Sequence, residues 1–219
     1  MVTRMRRVVG KATVDLDAAG FAALRSPYAE LVLDIGTGDG KHVLAEARRR
    51  PDALVVGLDA GPDAMRRTAL RAAAKPTRGG APNAVYVWAA VEQLPAELGD
   101  VTEVHSLMPW GSLLRALVAP DEAVLRTVAA RCRTGAPFLI TLNLHAWRPP
   151  VPEVGKTAEP TPASALEVLA PAYGRAGWTL SSADYLDDTE LAGLGTSWTK
   201  RLGSSREALA VLGLRGSIG

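Results

Sequence analysis

The chain places an acid and three glycines at alternate positions, Asp34, Gly36, Gly38 and Gly40, directly after the apolar run Leu31 to Leu33. Glycine lets a backbone bend tightly and approach a ligand where a Cβ would collide, and the helix predicted from Lys41 offers unpaired N–H groups in its first turn. Such a loop cradles a cofactor. A dinucleotide loop would read G-x-G-x-x-G, but Lys41 stands three residues after Gly38 and an acid precedes the first glycine. A second acid, Asp59, follows the apolar run Leu54 to Leu58, 25 residues beyond Asp34, where an acid accepting both ribose hydroxyls belongs. Ala89, Ala90, Val91 and Glu92 follow the run ending at Trp88 and offer backbone groups to a purine edge. Taken singly, Asp34 reads equally well as a turn or cap residue and Glu92 as the start of a surface helix; the combination favours cofactor binding.

Two tryptophans stand where a core is hard to build. Trp110 lies between Pro109 and Gly111 at the end of a predicted strand, and Trp198 follows Gly195, Thr196 and Ser197 in a predicted loop. Burial is the commoner fate of tryptophan, and Trp88 and Trp178 are assigned to the core. The net charge of +2 does not announce a nucleic-acid partner, but its distribution is uneven. Ala64 to Arg78 holds Arg66, Arg67, Arg71, Lys75 and Arg78 without one acid, at spacings that array most of them on one helix face. Lys200, Arg201 and Arg206 form a second basic group.

The elements that position these residues alternate short apolar runs with helical segments, the pattern of a parallel α/β sheet. Strands are predicted at Leu31 to Ile35, Leu54 to Leu58, Ala84 to Trp88, Glu103 to Leu107 and Pro137 to Asn143, then near Trp178 to Tyr185 and Ala208 to Leu214. Helices are predicted over Lys41 to Arg49, Pro62 to Ala74, Pro120 to Arg133 and Ala163 to Gly174. The result is a seven-stranded, mostly parallel sheet with an antiparallel last strand, in one domain spanning 1–219. Residues 5 to 20 are expected as a hairpin lying over one end, and the Pro-rich stretch 146–163 as an extended, mobile insertion.

Composition narrows the setting. With 47% hydrophobic and 22% charged residues, the chain reads as a soluble globular protein. Cys132 is the lone cysteine, which excludes an internal disulfide and a cysteine-based zinc site and suits a reducing cytoplasm. No run reaches the ~18 to 20 apolar residues of a membrane span, and the basic first residues lack the apolar core of a signal peptide. The expectation is a cytoplasmic monomer with no membrane association and no metal.

D-x-G-x-G-x-G resembles motif I of S-adenosylmethionine-dependent methyltransferases. Methyl transfer from a sulfonium is an in-line displacement governed by positioning and exclusion of water, so the acceptor decides what else is needed. Methylating a pyrimidine C5 requires a cysteine nucleophile, and Cys132 is predicted on a helix away from the cofactor edge. Exocyclic adenine amines are usually served by Asn/Asp-Pro-Pro-Tyr, but this chain has Leu107-Met-Pro-Trp110. Adenine N1 already carries an in-plane lone pair and needs orientation more than a base.

Three segments together, Leu33 to Gly40, Met108 to Leu114 and Thr196 to Leu202, resemble the Kam-type aminoglycoside-resistance 16S rRNA (adenine(1408)-N(1))-methyltransferases over essentially the whole chain. The resemblance implies a Rossmann-like class I S-adenosylmethionine-dependent methyltransferase fold, with S-adenosylhomocysteine as product. It implies methylation of adenine 1408 in 16S rRNA of the 30S ribosomal subunit. On the matching positions Trp110 and Trp198 sandwich the flipped base and Pro109 supplies a carbonyl near its amine. Asp34, Gly36, Gly38, Asp59, Val91, Glu92, Leu107, Ser112, Thr196 and Ser197 border the cofactor, while Arg66, Arg67, Arg71, Lys75, Lys200, Arg201 and Arg206 grip RNA. The alternative is a small-molecule methyltransferase of an antibiotic pathway, which would keep the cofactor loops and use the tryptophans as pocket walls.

Overall fold

A computed structural model describes residues 5–148, 153–196 and 210–219. Five parallel strands form the centre: β3 (Glu30–Ile35), β4 (Ala53–Asp59), β5 (Ala84–Trp88), β6 (Glu103–Leu107) and β7 (Ala136–Asn143). Residues 31–35 of β3 and 53–58 of β4 are buried, as strands covered on both faces should be, which is why they read as apolar runs interrupted only by Asp34. α1 (Ala18–Arg25), α2 (Lys41–Arg49), α3 (Pro62–Ala72), α4 (Gly111–Val118) and α5 (Glu122–Ala129) follow or precede these strands.

With β1 (Met5–Val9), β2 (Ala12–Leu16), β8 (Trp178–Tyr185) and β9 (Val211–Ile218), the sheet order is β2-β1-β5-β4-β3-β6-β7-β9-β8. From β3 the chain passes through α2 to β4 on one side, and β6 lies on the other. The order therefore reverses between β3 and β6, and a crevice opens beyond their carboxyl ends.

The described sheet has nine strands where seven were expected. The residue 5–20 segment does not lie over one end; its β1 pairs antiparallel with β5 through Arg6↔Trp88 and Arg7↔Val87. This pairing covers the N–H and C=O groups of an otherwise open edge and buries Met5 and Val8. The expected antiparallel end is present as β7-β9-β8, but β9 runs on to Ile218, where Leu212, Leu214 and Ile218 are fully buried. In the 146–163 insertion the described part packs down. Val154 is buried, and the Trp147 indole N–H donates to the Thr157 carbonyl at 3.0 Å.

Trp178 sits in the core as expected, edge-on to Phe138 at 4.9 Å and to Tyr173 at 5.9 Å between ring centroids. Trp88 does not. It is half-buried at the end of β5, with the Arg6 guanidinium 3.3 Å over its ring and its N–H donated to the Ala60 carbonyl. At the opposite end of the sheet, Arg50 joins Glu30 of β3 and Glu103 of β6, both at 2.6 Å, to Glu46 of α2 at 3.3 Å. One planar guanidinium thus fixes α2 against the two strands that flank the crevice.

Candidate functional site

The glycine loop is pinned to the end of β4. The Leu58 carbonyl accepts both Gly36 N–H (2.8 Å) and Thr37 N–H (3.1 Å). The Asp59 carboxylate accepts Gly38 N–H through Oδ2 and Gly61 N–H through Oδ1, each at 2.8 Å. Gly36 and Gly38 both have left-handed backbones, with φ of +71° and +58°, but for different surroundings. A Cβ on Gly36 would lie 2.5 Å from Leu113 Cδ2, whereas one on Gly38 would meet nothing within 4 Å. Gly36 is needed for close packing against α4, and Gly38 faces open space.

That space is a cavity of about 550 Å³ at the crevice. Asp34, Gly36, Gly38, Asp59, Val91, Glu92, Leu107, Ser112, Thr196 and Trp110 all line it, so the structure gathers these sequence-predicted residues in one place. Asp34 is buried on its floor. Its Oδ2 accepts the Thr37 hydroxyl at 2.6 Å, while Oδ1 has no donor among the described residues. Burial pushes the carboxyl above the ordinary aspartate range, against the opposing pull of the neighbouring His42 and His105 pair and of the Thr37 hydroxyl. Such an orphaned buried acceptor is costly unless a donor arrives from the cavity. Asp59 has spent one lone pair of Oδ2 on the loop and one of Oδ1 on the Gly61 turn, and each oxygen keeps another for an incoming donor.

The opposite wall is the turn from β6 into α4. Met108 is a non-glycine residue at φ +51°, and its N–H donates to both the Thr141 carbonyl (2.9 Å) and the Thr141 hydroxyl (3.0 Å). A left-handed conformation costs about 1 to 2 kcal/mol here, so the turn is held rather than relaxed. Its product is Trp110, 40% exposed at the cavity wall just before α4 begins. Pro109 is buried between Met108 and Trp110, and it does not line the cavity.

The basic segment divides. Arg66 bonds Asp63 and the Lys11 carbonyl, tying α3 to the β1–β2 hairpin. Arg67 and Arg71 are exposed on α3, one turn apart. Lys75 and Arg78 are exposed too, but α3 ends at Ala72, so they are not on the expected helical face. The chain turns there because a residue before proline disfavours the helical conformation, and Lys75, which precedes Pro76, has φ −59° and ψ 144°. Cys132 lies beyond α5, pairing with Val101 by a single bridge, and burial pushes its thiol up to about 12. It is no nucleophile for this cavity. Ser197, Trp198, Lys200, Arg201 and Arg206 lie outside the described residues.

Several wall residues escaped the sequence reading, Thr37 and His42 foremost among them. Thr37 supplies the hydroxyl that fixes Asp34, and His42, one residue into α2, reaches the cavity with a nearly buried ring. A histidine in the first turn after a glycine loop was the available signal. The glycines make a divided prediction. Gly36→Ala should lower stability by about 2 to 3 kcal/mol, while Gly38→Ala should cost about 1 kcal/mol yet weaken cofactor binding roughly tenfold. Thermal melts beside calorimetry separate the two.

Residues 6–217 match the family described as NpmA: 16S rRNA (adenine(1408)-N(1))-methyltransferase. A 16S rRNA (adenine(1408)-N(1))-methyltransferase of Streptoalloteichus tenebrarius is 56% identical over 98% of this chain and 99% of its own length. A protein of that description from Escherichia coli is 27% identical over 90% of this chain and 92% of its own. Among solved structures, the 16S rRNA methyltransferase KamB superposes with a TM-score of 0.92 at 55% identity, covering 98% of this chain and 99% of that one. A tryptophan-to-alanine mutant of the Catenulisporales acidiphilia enzyme, crystallised with its cosubstrate S-adenosylmethionine, gives 0.88 at 36% identity, covering 98% and 96%. The glycine loop, the paired acids and the tryptophan wall thus stand in a Rossmann-like methyltransferase fold, and the chain belongs to the NpmA family of 16S rRNA (adenine(1408)-N(1))-methyltransferases.

Proposed function

We propose that this chain transfers a methyl group from S-adenosylmethionine to N1 of adenine 1408 in 16S rRNA of the 30S subunit and thereby confers aminoglycoside resistance. The observation that carries the reading is the meeting, in one cavity, of an orphaned buried carboxylate oxygen on Asp34 and an exposed tryptophan face on Trp110. S-adenosylmethionine when bound supplies the electrophilic methyl on a sulfonium.

The chain's own residues do the positioning. Asp34 Oδ1 accepts an N–H of the methionine amino group, and the Asp59 carboxylate accepts ribose hydroxyls. Backbone groups from Ala89 to Glu92 read the adenine edge, with Val91 as an apolar wall. Leu107, Ser112, Thr196 and Ser197 border the methionine end. Trp110 and Trp198 stack on either side of the target base once it leaves the helix. Flipping costs a few kcal/mol, and aromatic stacking returns about 1 to 3 kcal/mol per base. The Pro109 carbonyl accepts from the exocyclic amine, which orients N1 without removing a proton from it. Arg67, Arg71, Lys75, Lys200, Arg201 and Arg206 contact RNA phosphates, with Arg66 divided between phosphate and the Asp63 pair.

The whole chain, 1–219, works as one domain on this account, as a monomer in the cytoplasm. Among the described residues no helix is long and apolar enough to cross a membrane. The methylated base gains bulk and positive charge at the edge that an aminoglycoside polycation would bind, and both weaken the drug.

Expression of the chain in a susceptible bacterium should raise aminoglycoside tolerance, and Trp110→Ala should abolish it. In vitro that variant should lose about 10- to 100-fold in transfer to 30S subunits, with S-adenosylmethionine binding within about twofold of the parent. Equal loss of cofactor binding would assign Trp110 to the cofactor wall and favour the small-molecule reading. Asp34 makes a pH prediction. A bound ammonium favours its ionised form, so binding releases the proton that burial retains, and affinity should rise with pH through the raised Asp34 range and fall as pH drops below it. Calorimetry in buffers of different ionisation enthalpy reads that proton directly.

A further inference from the structure

A row of buried groups runs from the ion pairs at the amino end of β6 to the cavity wall. Glu103 Oε2 pairs with Arg50, and Glu103 Oε1 lies 2.9 Å from His105 Nε2. His105 Nδ1 lies 2.9 Å from His42 Nε2, and His42 Nδ1 lies 2.6 Å from the Leu194 carbonyl. Both rings are buried, with centroids 5.0 Å apart.

The protons in this row can be counted. The row ends in an acceptor on each side, a carbonyl and a carboxylate, so His42 Nδ1 and His105 Nε2 must both carry hydrogen. The contact between the rings needs a third. Two neutral imidazoles hold only two such protons, so the row is complete only with one more, and the pair then carries one positive charge. A protonated Glu103 would remove the need, but His105 and Arg50 hold that carboxyl down at about 2. Burial pushes His42 toward its neutral form, which places the charge on His105 beside Glu103.

We propose that His105 is an imidazolium paired with Glu103, that it fixes His42 as the neutral Nδ1–H tautomer, and that both are positioning residues holding Leu194, and through it Thr196, at the cofactor cavity. Thr196 lines that cavity two residues beyond the anchored carbonyl. The consequence for binding rests on the reading that the cavity takes S-adenosylmethionine. The groups facing the pair are Asp34 from β3, Glu46 from α2, Arg50 just past the end of α2, Glu103 from β6 and, through Asp34, Tyr86 from β5. The 188–194 segment contributes the Leu194 carbonyl.

The test is long-range ¹H–¹⁵N correlation on protein labelled at its three histidines, in the absence of any ligand, with His145→Gln and His105→Asn for assignment. Near pH 7 the proposal requires both His105 nitrogens protonated and His42 protonated at Nδ1 alone. Loss of the row in His105→Leu should weaken S-adenosylmethionine about fivefold or more. His105→Asn, whose amide N–H sits near the position of Nδ1 and can still donate to His42, should recover most of that loss. A neutral His105, an Nε2–H tautomer of His42, or a folded His105→Leu variant that binds S-adenosylmethionine like the parent overturns the proposal. If the leucine variant does not fold, the spectrum decides alone. Because the spectrum needs neither cofactor nor RNA, failure of the methyltransferase reading and failure of this hydrogen-bonded row are distinguishable.

Discussion

Three N–H groups of the glycine loop, and a fourth from the turn leaving β4, converge on the end of that one strand, and the cavity depends on that convergence. The Leu58 carbonyl takes two of them and the Asp59 carboxylate the other two, from Gly36, Thr37, Gly38 and Gly61. A glycine-rich loop left to itself pays the largest backbone entropy of any residue type, and any ligand that ordered it would bear that cost. Here the cost falls on folding instead. The hydrogen bonds are worth only about 0.5 to 1.5 kcal/mol each, but they point the loop the same way whether or not the cavity is filled, which is the essence of preorganisation.

The facing wall solves a different problem. On the proposed reading Trp110 receives a base, and for that it must stay out of the core, although burial is where its surface would otherwise go. The left-handed Met108, held by both oxygens of Thr141, and the start of α4 immediately afterwards keep Trp110 at the rim. The strain at Met108 is therefore tied to the exposure of Trp110, while the surrounding β6 and β7 pairing supplies the stability that sustains it. Asp34 makes a comparable bargain. It is a buried acceptor short of a donor at the one place where a ligand would bring one.

Much of this was legible in the sequence where spacing itself encodes geometry. Asp34 and Asp59 stand near the ends of strands that betray themselves as apolar runs, Gly36 and Gly38 follow the first of them, and the cavity brings all four together. The end of α3 was equally readable, since Lys75 precedes Pro76, and the helix expected to stop at Ala74 stops at Ala72. What could not be read depends on distant parts of the chain meeting. The β1–β5 pairing that adds the hairpin to the sheet edge is set by side-chain burial across that edge, which no local pattern records. His42 and His105 are 63 residues apart, and only the packing of α2 on the sheet brings their rings together. Arg66 looked like its neighbours, yet a carbonyl from the far hairpin captures it.

The most direct measurement is transfer of radiolabelled methyl to purified 30S subunits, naked 16S rRNA and 50S subunits, followed by reverse transcription across the labelled RNA. The account predicts label in 30S and a stop one nucleotide before adenine 1408, because a methyl on N1 blocks the pairing edge. Incorporation elsewhere in the RNA, or none into any RNA by protein that binds S-adenosylmethionine, would contradict it.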